Sequence, residues 1–324
     1  MNKTMIAILD VLNKHPGSVL GSRELSRQLR LHGIELTERT VRYHLRILDE
    51  RAYTKVFGRE GRMITQKGKE ELAQSLVSEK VGFVISKIET LSYLTNLDLA
   101  KEEGDIILNF SYFPEERLQE ALKIMQPVFS SPYIMSDKVV VLRGGEKIDD
   151  IIIPHGQVGF GTVCSVTING IFLKAGIPVN SKFGGVLQIH QEPVRFTALI
   201  SYEGSSLDPL EIFIRSRMTN VSGAVSEGSG TILASFREIP VVSIEKAEEI
   251  GAQMQEKGIR GILLIGHPNQ PLLEMPVSRD KAGMIIVGGL NPVAALEEAG
   301  IPTVTRAMSI LYPFSGLVRF SEIL

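Results

Sequence analysis

Any chemistry in this 324-residue chain has to come from six histidines, one cysteine and an uneven distribution of charge. The histidines stand at His15, His32, His44, His155, His190 and His267, with no HExxH or CxxC pair, so their spacing supports no metal site. Cys164 lies in GTVCSVT, an apolar strand pattern. A thiol nucleophile needs an adjacent base and a lowered pKa, whereas a cysteine in an apolar strand behaves as a small core residue. The pieces RGGE at 143–146 and SEGSG at 226–230 lack the GxGxxG and GxxxxGK[ST] patterns and read as turns. The expectation is a protein that is not an enzyme and carries no cofactor.

Binding is better supported than catalysis. Residues 1–80 hold 15 of the 35 Lys/Arg and 10 of the 37 Asp/Glu, a net of +5, leaving 20 against 27, a net of −7, for the remainder. A basic module on an acidic body is expected where one end meets a polyanion. Within TERTVRYHLRILDERAY, Val41, Leu45 and Leu48 recur at helical spacing, with Thr37 as cap. The opposite face carries Glu38, Arg39, Arg42, Tyr43 and Arg46, with Thr40 beside them. Arg39 and Arg42 lie near the N-terminal end, where a helix in the major groove reaches base edges.

The elements needed to position that face are present. Met5, Ile8, Leu9 and Leu12 form one helical stripe, ended by His15-Pro16-Gly17. Ser22 opens a short helix that buries Leu25 and Leu29 and stops at His32-Gly33. After the third helix, 53–57 and 62–65 form a hairpin around Gly58-Arg59-Glu60-Gly61, and Gln66 starts another helix. Three helices and a basic hairpin make a winged helix-turn-helix over 1–75. Arg59 and Arg62 on the wing are placed to reach phosphates or the minor groove.

Composition bounds the rest. With 44% hydrophobic and 22% charged residues the chain is long enough for two or three domains, which excludes a disordered or disulfide-stapled chain. One cysteine fits a reducing cytoplasm. No run approaches the ~18 to 20 apolar residues of a membrane helix, and the apolar run of MNKTMIAILDVLNKHPG is too short for a signal peptide. A soluble cytoplasmic protein with no membrane partner is expected.

From residue 80 to 324, Val/Ile-rich runs alternate with helical patterns, which predicts an α/β or α+β body. An internal duplication runs through it. IIIPHGQVGFGTVCSVTINGIFLKAGIP (151–178) and LLEMPVSRDKAGMIIVGGLNPVAALEEAGIP (272–302) share a Pro-ended apolar run, a strand, an Asn, a short helix and AGIP. A helix precedes each, so the copies span about 115–178 and 244–302 and predict two related lobes. Asn169 and Asn291 are expected to cap the short helices, whose N-termini suit an anion. Two lobes facing one cleft would bring these together with Thr162, Cys164, Ser165, Lys174, Arg195 and Arg306 as candidate effector ligands. Lys182, Arg215, Arg217, Ser181 and Thr305 are further basic and hydroxyl groups within reach of such a cleft.

Three long stretches after the winged helix carry a family resemblance: VGFVISKIETLSYLTNLDLAKEEGDIILNFS, GFGTVCSVTINGIFLKAGIPVNSKFGGVLQI and LDPLEIFIRSRMT. They resemble the archaeal nitrogen-responsive transcriptional repressors, NrpR, in which a winged helix precedes one or two regulatory domains. The resemblance covers nearly the whole chain, with one regulatory domain over about 80–324. It implies a repressor of nitrogen-assimilation and nitrogen-fixation promoters, released by 2-oxoglutarate bound in the C-terminal domain. Expected partners are an inverted-repeat operator and a second copy in a homodimer or higher oligomer, with a second regulator subunit and the basal transcription machinery as further candidates. A different small anion as effector, a body serving assembly alone and an enzyme fused to its own regulator are the alternatives.

Overall fold

The amphipathic stripes of the first eighty residues close on one another as three helices. In the computed structural model, which describes residues 3–15, 18–31, 34–58, 60–74, 82–149 and 151–324, these are α1 (Lys3–Lys14), α2 (Ser22–Leu31) and α3 (Glu38–Glu50). Ile8, Leu9 and Leu12 of α1 meet Leu25 and Leu29 of α2 and Val41, Leu45 and Leu48 of α3 in one core. Thr37 caps α3, its hydroxyl accepting the Thr40 N–H at 3.2 Å. Strands β1 (Thr54–Phe57) and β2 (Gly61–Ile64) form the antiparallel wing, and α4 (Gln66–Gln74) follows. Leu20 bridges to Arg62 at the base of the wing. There Gly61 has φ +145°, and a Cβ would stand 2.2 Å from the Leu20 carbonyl, so only glycine fits. The ends of α1 and α2 at Pro16-Gly17 and His32-Gly33 lie outside the described residues, as does Arg59.

The chain divides into two units, Met1–Val81 and Gly82–Leu324. The second opens with α5 (Phe83–Leu94) and then runs twice through one order of elements. The first pass is β3 (Asp105–Pro114), α6 (Leu118–Phe129), β4 (Lys138–Leu142), a small hairpin of β5 (Lys147–Ile148) and β6 (Ile151–Ile152), β7 (Gln157–Val163), α7 (Val166–Lys174) and β8 (Asn180–His190). Strand β9 (Glu192–Ser201) and helices α8 (Pro209–Arg215) and α9 (Val221–Ser226) connect it to the second. That pass is β10 (Ser229–Pro240), α10 (Ile244–Glu256), β11 (Ile262–Ile265), β12 (Lys281–Val287), α11 (Asn291–Glu298) and β13 (Val304–Pro313), and β14 (Val318–Arg319) ends the sheet structure. Pro114 and Pro240 each end the first strand of a pass and lead through a 3-10 turn into the helix. Ala175 and Ala299, the first residues of the AGIP tetrapeptides, C-cap α7 and α11 with near-identical dihedrals.

The duplicated halves do not fold as separate lobes. The two five-stranded sheets run β13-β3-β7-β4-β14 and β11-β12-β10-β8-β9. Each pass therefore donates its last strand to the other: β13 pairs with β3 over Val304–Pro313, and β8 pairs with β10 over Asn180–His190. Both large cores draw residues from both halves, including Phe160 with Phe236 in one and Phe110 with Met284 in the other. Neither half can bury its apolar face without the strand it borrows.

Candidate nucleic-acid interface and effector cavity

The caps and stripe that form α3 leave its outward face to the residues singled out from sequence. Arg39, Arg42, Tyr43 and Arg46 are exposed, Tyr43 at 63%, and Glu38 and Thr40 are half-buried. Glu38 holds Arg42 at 3.0 Å and Arg23 at 3.1 Å, and Arg46 pairs with Glu50 at 3.0 Å. Such exposed pairs hold an arginine only loosely, by about 0–1 kcal/mol. Arg62 corrects an expectation. Its Nε donates to Asp49 Oδ2 at 2.8 Å in a mostly buried pair, so it fastens the wing to α3 instead of reaching for phosphate. The exposed Lys55 of β1 is a wing cation that the sequence pattern did not single out.

In the second unit, the register of the two passes changes which residues correspond. With AGIP aligned on AGIP, Asn291 matches Thr167, and Val293 matches Asn169. The side chains agree. Thr167 Oγ1 accepts the Ile107 N–H at 3.2 Å and lies 3.3 Å from the Ile107 carbonyl. Asn291 does the same to Leu233, accepting its N–H at 2.8 Å and donating to its carbonyl at 3.2 Å, with a further bond to the Tyr133 carbonyl. Each is a buried staple between a helix and the first strand of its pass. Neither asparagine caps a helix as expected: Asn169 lies inside α7, and Asn291 spends its amide on the strand.

The eight candidate effector residues are not brought to one cleft. Lys174, Arg195 and Arg306 are exposed: Lys174 lies over the Tyr93 ring, and Arg195 bonds Gln188. Thr162 is buried on β7, its hydroxyl without a hydrogen-bond partner among the described residues. Burial pushes the Cys164 thiol up to about 11, which leaves it inert at neutral pH. Ser165 and Asn169 do converge, on a residue absent from the expected set. Arg237 is 1% exposed. It donates to the Ser165 carbonyl at 2.9 Å, the Ser165 hydroxyl at 2.8 Å, the Asn169 carbonyl oxygen and the Ser235 hydroxyl at 3.2 Å. All four acceptors are neutral, and burial lowers its pKa. Asn169 passes the polarisation on, donating at 3.0 Å to Ser181 and leaving the Ser181 O–H free to donate.

Asn169 and Ser181 line a cavity of about 630 Å³. Its other walls are Ile85, Ile88, Glu89 and Ser92 of α5, Leu173 of α7, Pro178 and Val179 leading into β8, the start of β8 as far as Phe183, and Ser201 with Glu203. Among the described residues Lys182 is the one cation of its lining, where Glu89 and Glu203 also stand, and its ammonium lies 3.9 Å from the buried carboxylate of Glu238. Elsewhere in this unit, Asp208 caps α8, accepting from Leu210 at 2.9 Å and Glu211 at 3.3 Å. Burial, then the charge of Glu211, raises its carboxyl from 3.8 to about 6. A carboxyl that holds its proton more tightly folded than unfolded makes folding weaker as pH rises between those values. Replacing Asp208 with Asn keeps the cap and is expected to flatten the pH dependence of urea unfolding across that window.

Among the described residues no His/Cys/Asp/Glu group could hold a metal, and no helix is long and apolar enough to cross a membrane. The fold defines a protein of the winged-helix class whose second unit is a duplicated, strand-exchanged α/β domain. Residues 81–319 match the family "NrpR regulatory domains NRD1 and 2", and residues 6–72 match "Ribonuclease R winged-helix domain". The chain is 36% identical to the global nitrogen regulator NrpRI of Methanosarcina mazei over 98% of both proteins. It is 30% identical to the global nitrogen regulator NrpR of Methanococcus maripaludis, spanning 97% of this chain and 55% of that one. The crystal structure of a nitrogen repressor-like protein from Methanococcus jannaschii superposes with a TM-score of 0.62 at 32% identity, over 73% of this chain and 98% of that chain. The chain belongs to the NrpR family of nitrogen regulators.

Proposed function

We propose that this protein represses nitrogen-assimilation and nitrogen-fixation genes and is released from its operator by 2-oxoglutarate. The observation that carries the reading is the exposed, arginine-bearing face of α3, on a chain aligned end to end with a global nitrogen regulator. Two winged helices related by a two-fold axis read an inverted repeat whose half-sites lie a multiple of the helical turn apart. The effector enters the regulatory domain at the cavity beside Arg237. The Ser181 hydroxyl and Asn169 amide, polarised from behind by the buried guanidinium, and the Lys182 ammonium receive a carboxylate there. Glu89 and Glu203 in the lining and Glu238 beside Lys182 oppose a second negative charge, so affinity for a dianion rests on those donors. By linkage, an effector that weakens DNA binding binds less tightly to the DNA-bound form.

A gel-shift titration on the DNA upstream of nitrogen genes tests this, run with and without millimolar 2-oxoglutarate and with succinate and glutamate as controls. Specific binding released by 2-oxoglutarate alone is expected. Specific binding indifferent to all three acids would keep the winged helix and remove the inducer.

A further inference from the structure

The internal duplication allows one half of the regulatory domain to be read against the other, and the two outer sheet edges differ. In the first half the edge is β4, and the chain covers it with its own end. β14 pairs with it through Val318↔Val139 and Arg319↔Lys138. The following Phe320 is buried, stacked at 4.0 Å on Phe129 of α6. In the second half the corresponding edge is β11, Ile262–Ile265, and it is the outermost strand of its sheet. Its four apolar residues are all only half-buried. Gln255 of α10 stands where Phe129 stands in α6, and small residues lie near it. Gly251 and Ala252 leave a groove of about 530 Å³ between α10 and β11. An apolar strand edge of this kind is a template for pairing unless something covers it.

We propose that β11 and the α10 groove are the surface through which two copies of this chain pair, β11 against β11 about a two-fold axis, joining two five-stranded sheets into one of ten. The charges at the groove favour a second copy over an unrelated strand. Glu248 sits in the first half of α10, and Arg260 follows the helix at its other end, roughly 12 Å or more away at 1.5 Å per residue. Both are exposed, and neither forms an ion pair among the described residues. A two-fold axis across an antiparallel strand pair reverses the second groove, which sets Glu248 of each copy against Arg260 of the other. Such a dimer also supplies the two winged helices that the operator reading requires. Assembly is measured without DNA or effector, so the interface and the repressor reading can fail separately.

Sedimentation velocity of the full chain across the micromolar range is the test. The wild-type chain is expected to dimerise, and Glu248→Arg or Arg260→Glu alone is expected to weaken the dimer by about tenfold or more by placing like charges face to face at two points. The double exchange should restore it to within about threefold of wild type, since it re-forms both pairs in the reverse sense. Ala252→Arg, which fills the groove from an exposed position without entering the core, should abolish the dimer while leaving the circular dichroism melt unchanged. A monomeric wild-type chain, or a dimer indifferent to both charge reversals and to Ala252→Arg, would overturn the proposal.

Discussion

Replacing Arg237 with Met is expected to destabilise the regulatory domain by about 2–4 kcal/mol, read from urea unfolding followed by far-ultraviolet circular dichroism. Two opposed terms decide the sign. A guanidinium at 1% exposure with only neutral acceptors has given up its hydration without gaining a counter-ion, so removing it recovers several kcal/mol. Against that, methionine leaves the Ser165 carbonyl and hydroxyl, the Asn169 carbonyl oxygen and the Ser235 hydroxyl facing a side chain that cannot donate. Each orphaned acceptor costs about 1–3 kcal/mol, and four of them outweigh the recovered desolvation. Arg237→Lys should fall between the two, keeping the charge but losing the planar fork that reaches all four. An Arg237→Met chain more stable than wild type would show that the guanidinium is retained against its folding cost. Its use would then lie in the ligand cavity rather than in holding α7 to β10.

Arg237 also shows where the sequence stops being informative. ILASFREIP reads as a strand with two charges near its end, and strict alternation would turn Phe236 and Glu238 to one face and Arg237 to the other. β10 is the middle strand of its sheet and is buried without a break from Ile232 to Ile239. Arg237 and Glu238 are therefore both covered, at 1% exposure each, although they alternate to opposite faces, an outcome no alternation pattern foretells. Local signals were legible. Thr37, the stripe of Val41, Leu45 and Leu48, and the two AGIP tetrapeptides depend on neighbours within a turn or two, and the structure shows each of them. The duplication was legible as an order of elements. The exchange of β8 and β13 between the halves was not, because a strand's sequence records that it pairs and not with whom. Matching Asn169 to Asn291 by residue type erred by two positions, and the staple made by Thr167 became visible only through its bond to Ile107. The bond between Arg62 and Asp49 is illegible for a related reason. A basic residue on a wing and one paired with a carboxylate thirteen positions away look alike until the fold brings Asp49 beside it.

Arg39→Ala and Arg42→Ala should each weaken operator binding by about 1–3 kcal/mol, and the pair together by roughly the sum if they meet separate bases. Arg39 is exposed without an ion pair among the described residues, so its guanidinium is free to enter a groove at no internal cost. Arg42 must leave Glu38, a pair whose side chains are 64% and 37% exposed. That release costs no more than about 1 kcal/mol, less than one bidentate bond to a guanine supplies. Comparing operator with random DNA over a range of salt separates the roles. If Arg39 reads a base edge, Arg39→Ala lowers the preference for operator and leaves the salt slope nearly unchanged. If it holds a phosphate, the same change weakens both DNAs alike and reduces the slope by about one ion. Arg62→Ala is the control from the same domain. Its guanidinium is committed to Asp49 at 2.8 Å, so its removal should lower the melting temperature of the winged helix and leave the salt slope of the remaining folded protein intact. If both α3 arginines were removed with no change in affinity, preference or slope, α3 would not be the helix that enters the groove. DNA would then have to be held by the wing, where Lys55 is exposed.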